Sequence, residues 1–254
     1  MNRIEQVFQR QQNILSIYYT AGFPSLNDTL VIMKTLQDAG VDMIELGMPY
    51  SDPIADGPVI QQSSATAIAN GMTINVLFEQ LKDMRQEISI PVILMGYLNP
   101  ILQYGFENCC ADAASVGIDG LIIPDLPGPE YEKTYAAIIR KHDLCFSFLV
   151  TPETSEERVK KLDALSSGFL YAVSSSSVTG SDKNMLSVNN YLQRLRSYQL
   201  NNPLVVGFGI KTKTDLENVY ANADGGIIGT AFIEALAGKM DVETISSFIK
   251  NIKG

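Results

Sequence analysis

Glu45 and Asp56 are the residues of this chain whose placement most invites chemistry. Glu45 interrupts a short apolar run, Met43-Ile44-Glu45-Leu46, that reads as a buried strand. A carboxylate in such a strand is strongly destabilising without a partner, so an acid there is either paired or functional. The chain then turns through Gly47 to Pro58, a loop that carries two further acids, Asp52 and Asp56. Two carboxylates at the exit of one strand, in unlike surroundings, can divide acid and base duties. Plainer roles exist for each. Glu45 can be satisfied by a backbone N–H or by Tyr171, and Asp56 in Ala-Asp-Gly can be a turn former. Asp52 before Pro53 reads as a turn or interface residue. Tyr18, Tyr97 and Tyr171 read equally as pocket wall or as proton carriers.

Other chemistries are excluded by what the chain lacks. It has one histidine, His142, in RKHDL, which reads as a helix end and the turn after it. One histidine there builds neither a Ser-His-Asp triad nor a three-histidine zinc site, so no metal is expected. Acid–base work falls to carboxylates, tyrosines or lysines. The formal charge of −9 argues against nucleic-acid binding, which wants basic patches. The first residues, MNRIEQVFQRQQ, lack the apolar core of a signal peptide, and no run approaches the roughly 18 apolar residues of a membrane span. Three cysteines without zinc spacing, Cys109, Cys110 and Cys145, suggest reduced thiols in the cytoplasm. Cys145 sits in LCFSFLV and reads as a small core residue.

The elements that must position the acids recur along the chain. Eight short apolar runs read as strands: 14–20, 43–46, 91–96, 120–123, 144–150, 168–173, 203–207 and 226–229. Most lack strict alternation, as parallel strands covered on both faces do. Between them lie helical patterns at 30–39, 76–86, 106–116, 130–141, 155–165, 188–198, 214–220 and 242–252, with an extra amphipathic turn at 4–10. Ser25 or Asn27 caps the first of these, Thr73 or Asn75 the second, and Thr154 with Glu157 forms a capping box for the fifth. Strands alternating with helices eight times imply parallel pairing with right-handed crossovers. A closed (β/α)8 barrel accounts for eight units in 254 residues, as one domain over 1–254.

Active sites of such barrels form at the C-terminal ends of the strands. Glu45, Asp56, Tyr97, Asn99, Asp125 and Tyr171 all fall on that rim, as do Gly207-Phe208-Gly209 and Gly229-Thr230-Ala231. The loops after strands seven and eight, with a short extra helix, commonly hold phosphate through backbone N–H groups and the helix dipole. Gly209 supplies the first loop, and the segment 229–236 reads as the start of that helix.

These residues are similar, in order, to the tryptophan synthase alpha subunit family. ELGMPYSDPIADGP resembles the family signature. YTAGFP, GYLNP, GLIIPDLP, YAVS with VTG, GFGI and ADGGIIGTA continue the likeness over essentially the whole chain. The resemblance implies a TIM barrel that cleaves indole-3-glycerol phosphate by a retro-aldol reaction to indole and glyceraldehyde 3-phosphate, with no cofactor in this subunit. It implies a partner, the tryptophan synthase beta subunit carrying pyridoxal phosphate, in an alpha2beta2 heterotetramer. It places the catalytic glutamate on Glu45, the catalytic aspartate on Asp56, and the phosphate site on Gly180, Gly209, Gly229 and Thr230. It favours a hydrogen bond from Thr179 to Asp56 when the loop 175–185 closes as a lid. Strand burial then predicts a raised pKa for Glu45, and the wetter loop an ordinary one for Asp56.

The partner surface is expected around Pro49, Tyr50, Asp52, Pro53 and Ile54, with Asn99 and Pro100 on the same rim. Three residues depart from the family pattern: Tyr50 for phenylalanine, Ser177 for glycine and Thr230 for serine. None removes a catalytic group. Two other readings remain: another enzyme on a related phosphate barrel, for which a metal-dependent epimerase would want histidines, and a catalytically weak barrel kept as an allosteric partner of a beta subunit.

Overall fold

A computed structural model of the protein describes residues 1–173, 182–207 and 209–254, and the backbone alone over 182–186. Its strands are β1 (Ile14–Thr20), β2 (Met43–Gly47), β3 (Val92–Met95), β4 (Gly120–Ile122), β5 (Cys145–Phe146), β6 (Leu149–Val150), β7 (Leu170–Val173), β8 (Leu204–Gly207) and β9 (Gly225–Ile228). All described pairings are parallel, in the order β5-β4-β3-β2-β1-β9-β8-β7-β6. The two ends of that order, β5 and β6, are consecutive pieces of one expected strand, 144–150. Ser147 N–H donates to Leu121 on the β4 side, and Phe148 C=O accepts from Tyr171 N–H on the β7 side. The segment changes neighbour midway, which splits the expected strand in two and closes the sheet into a barrel.

The helices are α1 (Arg3–Arg10), α2 (Thr29–Asp38), α3 (Pro58–Ala69), α4 (Ile74–Leu81), α5 (Leu98–Tyr104), α6 (Phe106–Ser115), α7 (Gly128–Glu130), α8 (Ala136–Lys141), α9 (Glu156–Leu165), α10 (Asp182–Ser197), α11 (Lys213–Tyr220), α12 (Thr230–Gly238) and α13 (Val242–Lys253). A π turn, Tyr131–Tyr135, joins α7 to α8. Two helices were not expected. The first, α3, buries one large apolar residue, Ile60, beside the small Ser63, Ser64 and Ala67, and so lacks a large apolar stripe. Its start is marked instead by Gly57 at the N-cap and Pro58 at the first helical position. The second, α5, carries Pro100 in its first turn, where the missing N–H costs nothing.

Two expected caps also differ. Thr154 is occupied by Thr151 N–H, so Ser155 caps α9 by accepting from Arg158 N–H. Asp28, rather than Ser25 or Asn27, stands at the N-cap of α2. Thr73 caps α4 by accepting from Val76 N–H.

The pleat decides which side chains enter the barrel. Tyr19 meets Phe232 of α12 edge-on at 6.4 Å, so it faces the helices. Tyr18, its neighbour, therefore faces inward. A Cβ on Gly47 would overlap the Tyr18 hydroxyl, and one on Gly207 would overlap the Tyr171 hydroxyl. The bare glycines at the C-terminal ends of β2 and β8 thus make room for two inward tyrosines.

The opposite mouth is closed by α1, whose Ile4 is fully buried. Buried Asp119 anchors it, pairing with Arg3 at 2.9 Å and with Arg85, and accepting from Val92 N–H. That end of a barrel ordinarily serves stability.

Candidate active site

Glu45 is the third residue of β2, in register with Tyr18 of β1 and Ile93 of β3. It shares the inward parity of Gly47. Its side chain is fully buried, and neither carboxylate oxygen has a hydrogen-bond partner among the described residues. Burial pushes its pKa from 4.5 up to about 8, so the group is a neutral carboxylic acid at pH 7. An unpaired acid that stays protonated inside the barrel has a proton to give and two oxygens free to meet a ligand.

Asp56 stands on the loop between β2 and α3. A turn closed by Asp56 N–H on Pro53 C=O shapes that loop, and the Gln61 side chain holds the Asp56 carbonyl. The carboxylate accepts a hydrogen bond from the Tyr97 hydroxyl at 3.0 Å, and the same hydroxyl oxygen accepts from Ala55 N–H at 3.0 Å. Burial pushes the Asp56 pKa from 3.8 up to about 6, with the Tyr97 hydroxyl pulling the other way. The ordinary value expected from the sequence is therefore not found. The loop is largely exposed, but its hydrogen bonds to the Tyr97 hydroxyl draw Asp56 in until it is half-buried. Asp56 is still mostly ionised at pH 7. The two acids thus differ in charge at neutral pH.

The three tyrosines surround this pair. Burial first, and neighbouring Asp56 second, raise the Tyr18 and Tyr97 hydroxyls well above their ordinary range. Burial and then Glu45 do the same for Tyr171. All three are neutral hydrogen-bond donors at pH 7. Tyr50 packs on Tyr97 with ring centroids 5.4 Å apart, and its hydroxyl oxygen accepts from Asn99.

Asp56 also borders a cavity of about 650 Å³ walled on one side by Met95, Pro124, Leu149, Thr151 and Val173 and on the other by the polar segment that holds Glu153, Thr154, Ser155 and Arg158. Apart from Thr151 the first set are apolar side chains at the C-terminal ends of β3, β4, β6 and β7. Residue type alone does not mark them as pocket wall; Met95 and Val173 end their strands, Thr151 follows β6, Leu149 opens it, and Pro124 lies two residues past β4.

Three of the four expected phosphate residues, Gly209, Gly229 and Thr230, fall at the same mouth. Gly229 is the N-cap of α12, makes no side-chain cap, and lies so near Tyr18 that a Cβ would come within 3.2 Å of its ring. Thr230 is the first residue of that nine-residue helix, which leaves its leading N–H groups open to an anion. Gly209 is exposed, with φ of +79°, a conformation glycine adopts without strain. Thr179, Gly180, Ser177 and Phe208 lie outside the described residues. Of the expected lid, 182–185 form the backbone of the first turn of α10.

On the expected partner surface, Asp52 and Asn99 are exposed and Pro49, Tyr50 and Pro100 half-buried. Ile54 is 85% exposed and Leu102, on α5 beside Asn99, 45%. Pro53 is a correction: it is buried beneath the loop and offers no surface.

No group of three or more His, Cys, Asp or Glu is placed to hold a metal among the described residues. Among the same residues no helix is long and apolar enough to cross a membrane. The three cysteines are free and buried, and burial pushes each thiol up to about 12, so none is a ready nucleophile.

Residues 4–251 match the family of the tryptophan synthase alpha chain. The chain is 51% identical to the tryptophan synthase alpha chain of Flavobacterium psychrophilum, covering 99% of this chain and all of the relative. It is 48% identical to that of Parabacteroides distasonis, over the whole of both. Among solved structures it resembles tryptophan synthase subunit alpha of Legionella pneumophila, with a TM-score of 0.90, 35% identity, and 100% and 97% of the two chains covered. The chain belongs to the tryptophan synthase alpha chain family, a family of lyases with the TIM-barrel fold that serves tryptophan biosynthesis.

Proposed function

We propose that this alpha chain, working as one domain over 1–254, cleaves indole-3-glycerol phosphate to indole and glyceraldehyde 3-phosphate. The observation that carries the reading is Glu45: a buried acid, protonated at pH 7 and unpaired among the described residues, on the rim that also holds an ionised Asp56. The neutral Glu45 gives its proton to indole C3. The bond from C3 to the glycerol chain then breaks, its electron pair returning to the ring. The glycerol hydroxyl loses its proton to the Glu45 carboxylate as the aldehyde forms. One proton is lent and one recovered, so no cofactor is required of this chain.

Positive charge develops on the indole nitrogen when C3 is protonated. The Asp56 carboxylate, held by Tyr97, stabilises it as a fixed negative group beside the ring N–H. The apolar part of the cavity wall, Met95, Pro124, Leu149 and Val173, suits a flat indole, with Tyr18 and Tyr171 completing the interior. Gly209, Gly229 and Thr230, with Gly180, hold the phosphate through backbone N–H groups, Thr230 adding a hydroxyl. Thr179 meets Asp56 when the substrate is bound.

A beta subunit carrying pyridoxal phosphate is the partner, in an alpha2beta2 assembly. The exposed apolar Ile54 and Leu102 support that surface, with Pro49, Asp52, Asn99 and Pro100 around them. Free buried thiols support a cytoplasmic setting. Indole release from indole-3-glycerol phosphate by the purified chain, alone and with a cognate beta subunit, tests the reading. Release that the beta subunit stimulates supports it. No release from either preparation overturns it.

A further inference from the structure

We propose that Asp125 is a positioning residue for Asp56, acting through the first turn of α5 and the Tyr97 hydroxyl. The proposal rests on the reaction above only for its kinetic readout. Asp125 lies in the turn after β4, which Leu126 N–H closes on Ile123 C=O at 3.1 Å. Pro124 and Asp125 are the central residues of that turn. Pro124 walls the cavity, whereas Asp125 is exposed. Its Oδ1 accepts a hydrogen bond from Leu98 N–H at 2.9 Å.

Leu98 is the first residue of α5, and the N-cap is Tyr97, whose own side chain caps nothing. A helix start leaves its first N–H groups without partners, and a carboxylate is the strongest acceptor for one of them. Asp125 supplies that acceptor from a different loop. One residue earlier, the Tyr97 hydroxyl is bonded to both Ala55 N–H and Asp56. Three segments, the turn after β4, the start of α5 and the loop after β2, are therefore joined in series at the mouth of the barrel.

The groups facing Asp56 are Tyr97, Tyr18 and Tyr171, with Glu45 behind the latter two. Glu153 and Arg158 share its cavity. Tyr97 feels both Asp56 and Asp125. Losing the Asp125 acceptor frees the first turn of α5 to shift. The Tyr97 hydroxyl then moves off Asp56, and the carboxylate loses the donor that favours its charged form. Loss of a nearby negative charge alone would lower the Asp56 pKa. Positioning and plain electrostatics thus predict opposite signs.

The test is the titration of Asp56 in the full chain by NMR of 13C-labelled aspartate, with no substrate present. For Asp125→Ala the midpoint rises by about half a unit to one unit, from the value near 6, as loss of one donor would give. Tyr97→Phe raises it equally, and the double variant raises it no further. Asp125→Asn keeps an oxygen acceptor for Leu98, so its midpoint does not rise and lies at the wild-type value or slightly below it, as loss of the charge alone gives. In the cleavage assay kcat of Asp125→Ala falls about three- to tenfold, the acid limb of its pH profile moves up with the midpoint, and KM changes little. Asp125→Leu, which keeps bulk without the acceptor, is the second deletion should Asp125→Ala not fold. An unmoved or lowered midpoint in the deletion that folds overturns the proposal, as do additive shifts with Tyr97→Phe. Because the midpoint is read without substrate, a wild type that releases no indole overturns the cleavage reading and leaves this test intact.

Discussion

Replacing Glu45 by glutamine should make the protein more stable, increasingly so as pH rises. The native state holds the Glu45 proton up to about pH 8, whereas a solvated glutamate loses it near 4.5. Between those values the native state binds more protons than the unfolded chain. Stability therefore falls with rising pH, by about 1.4 kcal/mol for each unit above 4.5 while the native acid stays protonated. Glutamine removes that dependence and brings only a fixed cost for its buried amide. The stability gap between Glu45→Gln and wild type should widen by about 3 kcal/mol in favour of the variant from pH 5 to pH 7.5. Urea unfolding of both proteins at the two pH values measures it, and the double difference cancels the amide term. A gap that does not change with pH would refute the reasoning, because it would mean that the Glu45 carboxyl is as well solvated or paired in the native protein as in the unfolded one. The expected result is a functional group held at the expense of stability.

Three further outcomes follow from the site. The pH profile of turnover should be bell-shaped, rising as Asp56 ionises near pH 6 and falling as Glu45 loses its proton near pH 8; a rate still climbing at pH 9 would contradict the acid role. Gly209→Asp should raise KM for the phosphate substrate at least about tenfold, since it sets a negative side chain where an anion must sit; an unchanged KM would put the phosphate elsewhere. Ile54→Asp should weaken binding to a cognate beta subunit about tenfold or more, measured by calorimetric titration, because it charges the most exposed large apolar side chain of the rim; equal affinity would remove that surface from the interface.

The barrel is legible in the sequence because parallel strands covered on both faces show as separate apolar runs. The break between β5 and β6 is not, since the run 144–150 is apolar but for Ser147, a single polar residue that does not by itself end a strand, and it is the change of neighbours that divides it. Helix α3 escapes a search for large apolar stripes because its buried face, apart from Ile60, is built of serine and alanine. Glu45 stands out in a strand by residue type alone. What surrounds Asp56 does not. Its hydrogen bond comes from Tyr97, 41 residues away, and its partial burial comes with that contact. The ordinary pKa expected for it and the surface expected of Pro53 both fail because how far a loop residue is buried is set by tertiary contacts, not by the loop's composition. Asp125 shows on the rim as a polar residue after β4, but its contact with the start of α5 is a fact of the third dimension.

The most direct measurement is the rate of indole release from indole-3-glycerol phosphate by Glu45→Gln, compared with wild type at pH 7 in the presence of a cognate beta subunit. Glutamine keeps the volume of the side chain and has no proton to lend. Turnover should fall at least about a hundredfold while the variant remains folded, the low end for loss of a positioned acid–base group. Near-wild-type turnover by a well-folded Glu45→Gln would contradict the assignment of the proton transfers to that residue.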